Sequence, residues 1–148
     1  MAASSTTMAT AVEATNIPNG AIVLLGRFLF AAIFLMSGPN HFSPQTIAFA
    51  ASHGVPLASL AVPLSGIMEF AGALSILLGY RAKLGAWLIV VFLVPVTLMM
   101  HKFWAVSDPM MAQIDMAMFL KNMGLLGAAL VISQLGSGPL SLDARRSR

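Results

Sequence analysis

LSGIMEFAGALSILLGY, residues 64–80, is apolar enough to cross a bilayer and carries one acid, Glu69, near its middle. A charged side chain at that depth costs about 2.5 to 3.5 kcal/mol on insertion scales, so its surroundings must supply a partner or a proton. Three, four and seven positions away on a helix lie Gly66, Ser65, Gly72, Ala73, Val62 and Ile76, mostly small residues that let neighbouring helices approach closely. The spacing predicts that Glu69 points into a helix bundle, and the function of the chain turns on what meets it there.

The rest of the chain supplies such a bundle. Of 148 residues, 58% are hydrophobic and 9% charged, with a mean hydropathy of +0.87, so lipid rather than water solvates most of the surface. Four apolar runs, 20–38, 60–79, 84–101 and 116–135, each approach the ~20 residues that a helix needs to cross the hydrocarbon layer. None alternates at strand period, which argues against a β-barrel. The expected class is therefore an all-α integral membrane protein, a four-helix transmembrane bundle. There is no cysteine, which excludes disulfides, iron–sulfur ligation and thiol chemistry within the chain. The net charge is +3, but Arg145, Arg146 and Arg148 fall in the last four positions; they read as a topology signal and not as a nucleic-acid patch.

Residues 1–19 are rich in Ala, Ser and Thr, carry one charge, Glu13, and are expected to be disordered. The membrane domain is assigned to 20–144 and a basic tail to 145–148. A cleaved signal peptide is disfavoured, because no basic region precedes the first apolar run and Arg27 interrupts it. That run is expected to end at Gly38-Pro39. Ser43-Pro44 then reads as a helix start and Gly54 with Pro56 as a stop, giving a short interfacial helix over 44–53 between spans 1 and 2. Pro63 is placed in the first turn of the second span. The connection at 80–83 makes the second and third spans antiparallel neighbours, and Pro95 should kink the third. Ser107-Asp108-Pro109 predicts a fourth helix running to Leu135. Four spans put both termini on one side with Arg81, Lys83, Arg145, Arg146 and Arg148, against Lys102 and Lys121 opposite. The expected orientation has both termini cytoplasmic in a bacterial cytoplasmic membrane.

Depth places the polar residues. At ~1.5 Å per residue, Arg27 lies about 10 Å and Glu69 about 16 Å from the cytoplasmic side, so a structural ion pair of Arg27 with Glu69 is one expectation; a snorkelling Arg27 is the other. In the outer half, His41 follows the first helix, His101 ends the third and Lys121-Asn122 lie early in the fourth. Lys121 shares a helical face with Ala117, Gly124 and Ala128, which suggests a packed interior. Each of these residues has an ordinary reading as a loop residue, helix-end cation or interfacial anchor. Their convergence makes Glu69, His101, Lys121, Asn122 and His41 candidates for a ligand pocket that opens outward. His41, His53, His101 and Glu69 show no metal-ligand spacing, and the eleven Met residues are scattered, so no metal site is expected. No phosphate loop, nucleotide fingerprint or nucleophile elbow occurs, and no catalytic residue is assigned.

GRFLFAAIFLMSGPNHF, GIMEFAGALSILLGYRAKLGAW, FLKNMGLLGAAL and the closing GPLSLDAR together resemble the DoxX family of small four-helix bacterial membrane proteins, over about residues 20 to 144. Arg27, Glu69, Lys121 and Asn122 match the family's recurrent polar positions, with His41 and His101 as weaker matches. The resemblance implies a four-helix bundle in the cytoplasmic membrane and a redox setting. Relatives include membrane subunits linked to quinone-coupled thiosulfate oxidation and to resistance against oxidative and thiol stress. The leading expectation is a bundle that holds a quinone-like or other apolar ligand for an oxidoreductase partner, with no covalently bound cofactor. The alternatives are a scaffold or assembly subunit without ligand and, third, a small-solute or proton transporter. The partners to consider are the lipid bilayer, that oxidoreductase and a second copy of the chain, and not nucleic acid.

Overall fold

The computed structural model describes residues 20–146; the tail expected to be disordered, 1–19, and the last two residues lie outside them. Helix α1, Gly20–Ser37, continues as a 3₁₀ turn, Gly38–Phe42, and α2, Pro44–Ser52, follows. Then come α3, Ala58–Leu78, α4, Ala82–Met100, a 3₁₀ turn at Phe103–Ala105, α5, Pro109–Leu135, and the short α6, Leu142–Arg146. Among the described residues there is no strand, and four helical segments are long and apolar enough to cross a membrane.

Local sequence sets the boundaries. The Ser43 hydroxyl accepts from the amide of Thr46, and the Asp108 carboxylate from that of Met111 at 2.8 Å. Each satisfies an amide that the first helical turn would leave orphaned, with a proline directly after the cap. One expected boundary holds and one shifts. Helix α1 ends at Ser37, directly before Gly38-Pro39, and Pro39 sits early in the following 3₁₀ turn, where its missing N–H is not needed. Helix α3 starts at Ala58, so Pro63 lies beyond the first turn and leaves the carbonyl of Ser59 without its intrahelical donor.

Helix α4 is the central element, packed on α3 along one side and on α5 along another, while α1 packs on α3. At the α3–α4 crossing a Cβ on Gly72 would lie 2.9 Å from the Gly85 carbonyl oxygen, so only paired glycines permit this approach. The core between them is built from Phe30, Phe34, Ala73, Ile76, Ile89, Phe92, Leu93 and Ala129. Outward, α1 presents Ile22, Leu25, Leu29 and Met36, and α3 presents Leu60, Leu64 and Ile67. That is an apolar exterior suited to lipid.

After α5 the chain folds back over the end of the bundle that carries the 79–82 turn. Gly79 adopts φ +63, and a Cβ there would collide with Ser141 and with the Arg27 guanidinium. The Asp143 amide donates to the Gly79 carbonyl at 2.8 Å, and its carboxylate accepts from the amides of Arg81 at 2.8 Å and Ala82 at 3.2 Å, capping α4 from outside. Partial burial alone would raise the Asp143 pKa, but those two amides, the Ser137 hydroxyl and nearby Arg146 outweigh it and hold the carboxyl below its usual range. A depressed folded-state pKa contributes stability above the unfolded value, about 3.9, and that contribution is lost as pH falls through the folded value. Asp143→Asn is therefore expected to cost about 1 kcal/mol near pH 7, and to lose less stability than the parent on going below about pH 4. Thermal unfolding in detergent at the two pH values checks both.

Candidate functional site

Glu69 is 1% exposed, on the inward stripe of α3 with Val62, Gly66, Gly72, Ala73 and Ile76. Its Oε1 accepts a hydrogen bond from the Ser37 hydroxyl, contributed by the last residue of α1. Its Oε2 faces His41 Nδ1 at 3.3 Å and has no hydrogen bond within the protein, and neither has that imidazole nitrogen. His41 reaches this position because the 3₁₀ turn lies against α3 at Gly66, where an added Cβ would stand 2.6 Å from His41 Cβ. Phe92 of α4 closes the other side, its ring edge-on to the imidazole with centroids 5.7 Å apart.

A cavity of about 170 Å³ adjoins the pair, walled by Ile33, Phe34, Ser37, His41, Glu69, Phe92, Leu93, Val96, His101, Lys121, Asn122 and Leu125. It brings together the five polar residues singled out in the sequence, from four separate segments of the chain. Asn122 is buried, whereas Lys121 beside it is exposed at the rim. His101 Nδ1 meets Asp115 Oδ1 of α5 at 3.5 Å. The cavity lies where α1 and α5 approach, and these two helices share little direct packing.

Two expectations about this region are corrected. Arg27 does not pair with Glu69. Its guanidinium, 4% exposed, donates to the Ser137 carbonyl at 2.9 Å and to that of Leu140, at the opposite end of the core from Glu69's partners. Backbone carbonyls past the end of α5 are negative dipole ends, and they engage both terminal nitrogens of the guanidinium, leaving its Nε without a hydrogen bond in the protein. The small residues on the Lys121 face are not packed inside either: Ala117, Gly124 and Ala128 are exposed, and a Cβ added to Gly124 meets nothing within 4 Å. Helix α5 turns Asn122, Ala129 and Ser133 inward instead.

Ser37 and Asp115 were not singled out from the sequence. A seven-residue step from Asp115 to Asn122 places both on one helical face, a usable signal. Ser37, one residue before a glycine-proline pair, reads only as a helix end.

Geometry thus defines a four-helix integral membrane protein with a polar cavity inside an otherwise apolar bundle. The chain belongs to the DoxX family: the model of that family, described as DoxX, matches residues 22–102, a stretch that contains Arg27, His41, Glu69 and His101. Inner membrane protein YphA of Escherichia coli (strain K12) is 29% identical over 126 residues, 84% of this chain and 89% of the relative. Inner membrane protein YqjF of the same organism is 27% identical over 123 residues, 82% and 88% of the two chains. No solved structure matches.

Gly66→Ala is expected to force His41 away from Glu69 and to cost about 1–3 kcal/mol by overpacking. Gly124→Ala, with open space around it, should be neutral or gain up to about 1 kcal/mol of helix propensity. Thermal unfolding compares the two, and nitrogen NMR of the His41 ring reports the displacement.

Proposed function

We propose that this chain is a ligand-holding membrane subunit of a redox assembly, which takes a quinone-like or other apolar molecule with a hydrogen-bonding head group into the Glu69 cavity for a partner oxidoreductase. One observation carries the reading: Glu69 Oε2 and His41 Nδ1 are buried, face each other and make no other hydrogen bond within the protein. Buried polar atoms left in that state cost about 1–3 kcal/mol each, and a ligand offsets that cost where its hydroxyl donates to Glu69 Oε2 or its carbonyl accepts from a protonated Glu69 or from His41. Lys121 and Asn122 supply donors among the residues that line the cavity. In this reading the chain performs no catalytic step of its own. Glu69 and His41 hold or exchange a proton at the head group, and electrons pass between the ligand and the partner's cofactor. The scaffold alternative relied on an Arg27–Glu69 lock, which the hydrogen bonds of both residues replace with other partners.

The orientation proposed with it has both termini on the cytoplasmic side of the bacterial membrane, so that the cavity opens away from the cytoplasm. Support comes from Arg81, Lys83, Arg145 and Arg146 at the end that carries the 79–82 turn and the C-terminal segment. Because the chain has no cysteine, single cysteines at the exposed positions Ser52 and Leu142 probe the two ends without background. An impermeant maleimide on intact cells should label Ser52→Cys and spare Leu142→Cys; the opposite pattern reverses the orientation.

Binding is tested with 2-methyl-1,4-naphthoquinone on the protein in nanodiscs. Glu69→Gln is expected to weaken binding by about tenfold or more, the equivalent of about 1.4 kcal/mol. A parent protein that does not bind, or a Glu69→Gln protein that is folded and binds equally well, refutes the assignment.

A further inference from the structure

On the far side of His41 lies a second cavity of about 270 Å³, lined by α2, α3, α4 and the loop between α2 and α3. Its walls include Ala50, Val62, Met68, Pro95, Met99 and Met100, and it shares His41, Phe92 and Val96 with the Glu69 cavity. No acidic or basic side chain other than His41 faces it. Its two hydroxyls are already engaged, that of Thr46 with Ser43 and that of Ser65 with the Val62 carbonyl. One chamber is therefore polar and small, the other apolar and larger. Neither reaches the roughly 300 Å³ at which ligand pockets begin, and joined they exceed it.

What separates them is side chain and not backbone. The His41 ring stands edge-on against Phe92, and its Nδ1 meets only Glu69 Oε2, at 3.3 Å, on a turn that packs against α3 at Gly66. The residues common to both walls are His41, Phe92 and Val96, and a side-chain rotamer change costs little beside a backbone shift.

Resting on the reading of the Glu69 cavity as a ligand site, we propose that the two cavities are one two-chambered site for an amphipathic molecule. Its hydrogen-bonding head lies among Glu69, Lys121 and Asn122, its hydrocarbon substituent in the methionine-lined chamber, and His41 is the movable partition. The formal charges of Lys121 and Glu69 offset each other at the head, which suits a neutral group such as a quinone or phenol over an anionic one. A substituent leaving bilayer or detergent for the chamber gains no hydrophobic free energy, since lipid is as apolar as the walls. Selection by this chamber is consequently a matter of fit, and filling it is the sharp test.

Two probes are compared on the full-length protein in nanodiscs: 1,4-naphthoquinone without a substituent, and its 2-decyl derivative. Met68→Trp, which fills only the methionine-lined chamber, is expected to weaken the decyl probe by at least about tenfold more than the unsubstituted one. Ala61→Leu provides a milder filling should the tryptophan variant not fold. If both probes lose affinity equally, or neither does, the substituent lies elsewhere and the two-chamber proposal fails while the Glu69 reading stands. If neither probe binds the parent protein, that reading fails as well. A decyl probe with a terminal diazirine gives an independent result. Its label is expected on Met68, Met99 or Met100; label on the lipid-facing Leu29 or Leu120 overturns the proposal.

Discussion

A carboxyl group inside an apolar bundle is the constraint from which the rest of this structure follows. A charged side chain in hydrocarbon costs several kcal/mol, while one neutral hydrogen bond returns about 1. Glu69 consequently draws on several elements at once: the hydroxyl at the end of α1, the imidazole of the following turn and the polar wall of α5. Each contribution has a backbone cause. The chain leaves α1 through a tighter 3₁₀ turn, which carries His41 back over α3, and glycine at position 66 lets it come close enough. The segment between the first two long helices is therefore structural in the membrane domain, with α2 folded onto it and onto α3.

The second buried charge is handled apart from the first. Had Arg27 and Glu69 paired, each would have depended on the other, and removing either would have left an uncompensated ion. Instead Arg27 binds carbonyls of the chain that returns after α5, and the same return brings Asp143 onto the first amides of α4. One end of the bundle is thus closed by hydrogen bonds that reach across more than a hundred residues of sequence. Glu69 is left with the Ser37 hydroxyl and the His41 imidazole as its neighbours and without a guanidinium partner.

How much of this was legible in the sequence depends on the range of the interaction. The four spans, the caps at Ser43 and Asp108 and the inward direction of Glu69 rest on local periodicity and short-range capping, and the structure has them. The partner of Arg27 was not legible because carbonyl oxygens have no side-chain signature, and depth arithmetic along parallel rods gives no information on which way a long side chain turns. The rotation of α5 was misread for a related reason. Lys121 and Asn122 differ by one residue, about 100° around the helix, and small residues such as Gly124 and Ala128 are as compatible with a lipid face as with a packed one.

That rotation has a consequence for how the cavity persists. Helix α5 leans on α4 and helix α1 on α3, so the seam between α1 and α5 has no continuous row of interlocking side chains. Large apolar residues at 37, 121 and 122 would close it and bury more surface; the sequence places Ser, Lys and Asn there. Ser37 and Asn122 fill less of the space beside a buried acid than large apolar side chains would, and the cavity is what remains. Local rules broken together at one place, in a chain that obeys them elsewhere, are where a functional demand competes with stability. Here the residues that break them are the ones that line the cavity beside Glu69.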